Sequence, residues 1–213
     1  MLPSWFLPLL NWDSGLDFKL RALKFRHMNG FISIARDRDT GRVYKDPASG
    51  LPRIQYTPSK FDRTHVMEGV IALAKMAYVT DAEEINVCNS GTHPFIRNPD
   101  SAAPSSKDDV DARFEEWLTH IKTTGNAPPA GIFASAHQMG TNRMSVHPSQ
   151  GVVDPQGAVW GVKGLYVSDA SVFPSASGVN PMVTNMAISD WISRGVAKEL
   201  NREKGGVGVG AKL

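Results

Sequence analysis

Between Ala130 and Asn180 glycine or proline interrupts the chain so often that no ordinary helix fits. Gly131, Gly140, Pro148, Gly151, Pro155, Gly157, Gly161, Gly164, Pro174 and Gly178 all fall in that stretch. Both residue types weaken helix and strand interiors, glycine through backbone entropy and proline through its missing N–H. Gly164-Leu-Tyr-Val-Ser168 alone has the composition of a strand there. The rest must fold as loops. Asn180 followed by Pro181 then predicts a helix start, with Asn at the N-cap and Pro at the first helical position. Ile188, Trp191, Ile192, Val196 and Leu200 continue at helical spacing, and a flexible Gly/Val tail is expected from Gly205.

Upstream the apolar pattern is regular. Gly30-Phe-Ile-Ser-Ile-Ala35, the charged turn Arg36-Asp-Arg-Asp-Thr-Gly41 and the short run Val43-Tyr44 form a hairpin pattern. Arg53-Ile-Gln-Tyr56, bounded by Pro52 and Pro58, predicts a third strand. Val66, Met67, Val70, Ile71, Ala74, Ala77 and Tyr78 predict a helix over 62–79. A short strand is expected over 84–87 and a loop over 90–107. Val110, Phe114, Trp117, Leu118 and Ile121 predict a second helix over 108–122, whose first-turn acids suit the positive end of its dipole. The fold class is α+β.

Composition excludes several functions. The 213 residues are 41% hydrophobic and 21% charged, as in ordinary globular chains, and can bury a sizeable core. A net charge of +2 without a block of Lys and Arg argues against nucleic acid as a partner. Cys88 is the only cysteine, so no intrachain disulfide forms. Met1-Leu-Pro-Ser-Trp-Phe-Leu-Pro-Leu-Leu10 is apolar, but it is too short to span a membrane and lacks a basic leader. It is expected to be buried or partner-facing, with an interfacial membrane anchor left open.

Other patterns in the sequence carry little chemistry. Asp39-Thr-Gly41 matches an aspartic-protease tripeptide, but at a hairpin tip these are ordinary turn residues. Gly206-Val-Gly-Val-Gly210 has the wrong spacing for a dinucleotide turn. The six histidines show neither a helical i, i+4 pair nor a cysteine at ligand spacing, which argues against zinc. No Gly-x-Ser-x-Gly elbow is present, which argues against a serine hydrolase.

The segment His137-Gln-Met-Gly-Thr-Asn-Arg-Met144 differs. It places a histidine after a run of small residues and before a Gly-Thr turn. Small neighbours allow backbone to approach a planar ligand, and imidazole titrates where a general base is useful. Downstream, Gly164-Leu-Tyr-Val-Ser-Asp-Ala-Ser171 and Asn180-Pro-Met-Val-Thr184 follow in order. A helix start there offers unpaired N–H groups and partial positive charge to any group that gains negative charge.

Together, His-x-x-Gly-Thr, Gly-Leu-Tyr-Val-x-Asp-Ala-Ser and Asn-Pro-x-x-Thr resemble the C-terminal signature of the glucose-methanol-choline (GMC) oxidoreductases. In wording the segments are most similar to long-chain fatty alcohol oxidases. The resemblance implies FAD as cofactor, an alcohol as substrate and O2 as acceptor. It implies that His137 is the base that takes the hydroxyl proton and that Asn180 hydrogen-bonds the substrate oxygen. Asp169 and Ala170 would meet the FAD diphosphate and ribitol region, and Pro181 and Met182, with Asn180, the flavin. Use of the Asn180 side chain as its own helix cap competes with that role.

The implied organisation is a substrate-domain portion with an antiparallel sheet over 1–135, an active-site loop and FAD-domain return over 136–200, and a tail over 201–213. The second part would contribute the C-terminal strand and helix of an FAD-binding domain. No Gly-x-Gly-x-x-Gly turn is present to cradle the FAD pyrophosphate, so the chain is expected to be a fragment that works with an N-terminal FAD-binding half. Alternatives left open are a sterol oxidase, a dehydrogenase of the same fold, and a catalytically silent fragment. The terminal Ala211-Lys212-Leu213 resembles a peroxisomal address, which fits chemistry that releases hydrogen peroxide.

Overall fold

The computed structural model describes residues 10–99 and 106–205. In chain order its elements are α1 (Gly15–Leu23), β1 (Arg42–Lys45), β2 (Pro52–Gln55), α2 (Lys60–Val79), β3 (Glu84–Ile85), β4 (Phe95–Ile96), α3 (Lys107–Thr124) and α4 (Met182–Gly205), with single 3₁₀ turns at Phe25–His27 and Ala170–Val172. This is an α+β chain. The strands form two separate two-stranded antiparallel ladders, β1 with β2 and β3 with β4. The described residues divide into two compact units, those within 1–35 and 58–134 and those within 36–57 and 135–213.

The first unit is built on α2 and α3. Each starts at a serine whose hydroxyl accepts a backbone N–H three residues on, Ser59 from Asp62 and Ser106 from Asp109, both at 3.1 Å. Val110, Phe114, Leu118 and Ile121 of α3 lie on one helical stripe, and all four are buried. They pack with Ile71 and Ala74 of α2, Ile85 of β3 and Phe95 of β4. Aromatic rings cement this core. Tyr78 stacks on Phe114 at 3.9 Å between centroids, and Phe95 meets Phe114 edge-on at 5.2 Å. Gly125 ends α3, its N–H donating to Ile121 O at 3.0 Å. A helix that apolar periodicity did not indicate, α1, starts at Ser14, whose hydroxyl accepts the Asp17 N–H.

The second unit carries the β1–β2 hairpin, the glycine-rich loops and α4. Val153, Val172, Phe173 and Ile192 are its buried core, with Met139, Met144, Val159, Val167, Ala170, Ile188 and Val196 packed against them. The loops are thereby tied to α4 through side chains every few residues. Gly157, at φ +82°, lies in close contact with α4. A Cβ there would stand 2.8 Å from two Ile192 carbons and 2.9 Å from the Val167 carbonyl oxygen.

Several expectations are corrected. The run Gly30–Ala35 forms no strand, because β1 pairs instead with β2, in the register Val43↔Ile54 and Tyr44↔Arg53. The turn between them is closed by Asp46, whose N–H donates to Leu51 O and whose carbonyl accepts from Gly50 N–H, both at 2.8 Å. Strand composition alone makes no strand without a ladder partner. The stretch 164–168 makes one isolated bridge, Ala158↔Tyr166, instead of a strand. Conversely, β4 lies inside the segment expected to be loop, and α4 continues through 201–205. The apolar opening 1–9 and the tripeptide Ala211-Lys212-Leu213 lie outside the described residues. Among the described residues, no helix is long and apolar enough to cross a membrane.

Candidate functional site

The loop that carries His137 is stitched to the Ala170–Val172 turn by backbone. Gly140 N–H donates to Ala170 O at 3.2 Å, Asn142 N–H to Ser171 O at 2.8 Å, and Met144 N–H to Val172 O at 2.9 Å. The Asn142 side chain adds a fourth link, donating to Ser171 Oγ at 3.0 Å. The turn itself is capped by Asp169, whose Oδ1 accepts the Ser171 N–H at 2.8 Å. Two motifs distant in sequence thus form one piece of structure, with Met144 and Val172 inserted together into the core below it.

Above that core the chemistry-bearing side chains face outward. His137 and Asp169 are exposed. Among the described residues neither ring nitrogen of His137 has a hydrogen-bond partner. Gln138 next to it donates back to Ser135 O at 3.2 Å, which braces the loop locally. His147 has a different use: its Nδ1 accepts the Ser149 N–H at 3.2 Å, so it shapes a turn.

The start of α4 differs by one residue from the expectation. Asn185 N–H donates to Pro181 O at 2.7 Å, the first bond of the helix. Pro181, buried, therefore occupies the N-cap, and Asn180 precedes it, exposed. Proline has no N–H to satisfy there and its fixed φ suits the entry of the chain into the helix. The shift removes the competition foreseen for Asn180, whose amide does not cap the helix. Met182, Val183 and Thr184 come before the first intrahelical bond, so their N–H groups lack a helical acceptor. No acidic residue stands in this first turn, and Met182 and Val183 are each 69% exposed. Asn185 Oδ1 is buried there without a hydrogen-bond partner.

The structure therefore brings Asp169 and Ala170 directly against the His137 loop, and roots Pro181 and Asn180 in the same unit. No hydrogen bond joins His137 to Asn180 among the described residues. Asn142 was not singled out from the sequence, although it lies inside the Gly-Thr-Asn turn that marked the segment. Arg36, which donates to Ala176 O and Ser175 Oγ just ahead of Asn180, carries no signal in sequence: it is one more cation in a charged turn.

Comparisons with known proteins agree with these motifs. The long-chain-alcohol oxidases FAO3 and FAO4A of Arabidopsis thaliana are each 33% identical to the chain, over 93% and 95% of its length, yet those alignments take in only 25% and 26% of the relatives. A C-glycoside 3-oxidase of Microbacterium trichothecenolyticum is 35% identical over 33% of the chain and 14% of that protein. The chain thus spans about a quarter of the length of the alcohol oxidases it matches. A family model described as GMC oxidoreductase matches residues 37–189, which takes in the His137 loop, the Asp169 turn and the first residues of α4; the chain belongs to the GMC oxidoreductase family.

Proposed function

We propose that this chain supplies the catalytic base and part of the flavin pocket of an FAD-dependent oxidase that converts a primary, long-chain alcohol to its aldehyde, with O2 as acceptor. The observation that carries the reading is the backbone stitch between the His137 loop and the Asp169–Ala170 turn, in a unit that also roots the open start of α4.

The residues present fit a flavin. The first turn of α4 offers the unpaired N–H groups of Met182 and Val183, no competing carboxylate, and one orphaned acceptor, Asn185 Oδ1. A pyrimidine edge that mixes acceptors with a donor matches that set, and the exposed Met182 and Val183 side chains suit a planar ring. The positive end of the α4 dipole favours negative charge beside it. Asp169 and Ala170 would contact the cofactor further along its chain. When bound, FAD supplies the two-electron acceptor for the hydride that leaves the carbinol carbon.

The remaining chemistry belongs to this chain. His137 has both ring nitrogens free, so it can accept the hydroxyl proton as the carbonyl forms. Asn180, released from capping, can donate its amide N–H to the substrate oxygen and hold it toward His137. The ADP half of the cofactor needs a glycine-rich turn that these residues lack, and we assign it to a separate FAD-binding half.

The test is His137→Ala in the active holoenzyme. Turnover of a long-chain alcohol should fall about 10²–10⁴-fold, the usual worth of a general base, while the flavin absorbance persists. Turnover close to that of the unmodified enzyme refutes the assignment.

A further inference from the structure

We propose that Arg36 is a positioning residue for Asn180, an inference that rests on the role given to Asn180 above. The segment 174–179 leads directly into Asn180. Arg36 grips it with two donors: Nε to Ala176 O at 3.0 Å and Nη2 to Ser175 Oγ at 3.1 Å. The stem of the same side chain lies against Gly178. A Cβ at Gly178 would stand 2.8 Å from Arg36 Cβ and 3.4 Å from Cγ, and φ there is +71°. Glycine thus lets the segment close down on the arginine.

The rest of the segment is held as well. Ser177 Oγ donates to Val179 O at 2.5 Å, and buried Pro181 takes the first hydrogen bond of α4. Asn180 therefore sits between a strap fixed by Arg36 and a helix start fixed by the core. The backbone on either side therefore sets the position from which its exposed side chain extends.

A surface arginine beside acids ordinarily pairs with them, but here the neighbouring carboxylates are taken. Asp37 accepts from Tyr56 Oη at 2.9 Å, and Asp39 accepts from Arg38 at 3.0 Å. Arg36 instead reaches a carbonyl and a hydroxyl about 140 positions away. A guanidinium donating through two nitrogens fixes orientation as well as distance, which a lysine ammonium does not.

The experiment is a double-mutant cycle in the active holoenzyme, with Arg36→Ala, Asn180→Ala and the pair. Arg36→Ala should lower kcat about tenfold with KM within about twofold and flavin content unchanged, the cost of a misplaced reacting group. Arg36→Lys should restore part of the loss, since an ammonium can still donate to one of the two acceptors but lacks the planar fork. In the Asn180→Ala background, Arg36→Ala should cost almost nothing more, because its effect passes through Asn180.

Full additivity of the two losses overturns the proposal. So does an unchanged kcat in Arg36→Ala when Asn180→Ala is impaired, and in that case the role of Asn180 stands alone. Unimpaired turnover in Asn180→Ala removes the role of Asn180, and that of Arg36 with it. Should Arg36→Ala fail to fold, Ser175→Ala decides the matter: it deletes one partner and leaves the arginine. A loss of about threefold that vanishes with Asn180→Ala supports the strap, and no loss refutes it.

Discussion

Replacing Gly157 with alanine tests how α4 is seated. Two costs add at this position. An L-residue held at φ +82° pays about 1–2 kcal/mol for the left-handed backbone. The new methyl also lands 2.8 Å from Ile192 Cδ1 and Cγ2 and 2.9 Å from Val167 O, all inside contact distance. The Ile192 carbons can yield somewhat, but the carbonyl cannot, since Gly157 N–H is bonded to Asp154 O and Gly157 O to Val167 N–H, both at 2.9 Å. Overpacking of this kind costs about 1–3 kcal/mol, for a total of about 2–5 kcal/mol. Gly161 is the control: its φ is +76°, but nothing lies within 4 Å of an added Cβ, so alanine there should show the backbone cost alone. Native-state hydrogen exchange at the Ile192 and Val196 amides reads the opening free energy of this unit directly. Gly157→Ala should lower it by about 1–3 kcal/mol more than Gly161→Ala. Equal losses at the two sites would mean that Ile192 does not rest on Gly157 as described.

Two further outcomes concern the first unit. Phe114→Ala removes the ring that stacks on Tyr78 and meets Phe95 edge-on, and should cost about 3–5 kcal/mol in urea unfolding; a loss below about 1 kcal/mol contradicts its central place in that core. Glu84 carries a pH dependence. Burial pushes its carboxyl up, but the hydrogen bonds from Lys24 and Asn86 outweigh this and hold it below its usual 4.5. A carboxyl depressed in the folded state contributes stability that is present above 4.5 and lost as pH falls through its folded value. Glu84→Gln should therefore flatten the fall in urea midpoint below about pH 4.5, and an unchanged acid slope counts against the pairing.

What could be read from the sequence was whatever local physics decides. The α2 and α3 stripes followed from 3.6-residue periodicity, because each helix buries one face against the other's core. The order of the His137, Asp169 and Asn180 motifs likewise marked the family. What escaped depends on partners distant in sequence. The Gly30–Ala35 run has strand composition, but nothing in composition shows that β1 will pair with β2 instead. Phe95–Ile96 is too short, and too close to proline, to stand out until Ile85 lies opposite it. At the α4 start, Asn-Pro preference places Asn180 at the cap, whereas the first hydrogen bond of the helix is accepted one residue later, by Pro181 O. The Arg36 strap was invisible for the same reason: a charged turn does not announce a carbonyl on the far side of the chain.

The backbone stitch between 140–144 and 170–172 also makes the intervening residues a closed excursion with both feet pinned. Its tip, 161–164, is exposed. Lengthening that tip gives up the turn bond from Val162 N–H to Val159 O and adds the entropy of closing a longer loop, about 0.6 kcal/mol for each doubling, but leaves the spacing of His137 from Asp169 to the pinned ends. It is therefore the place where related chains can gain or shed residues without retuning the chemistry, and where a tag or a fluorescent reporter can be spliced in.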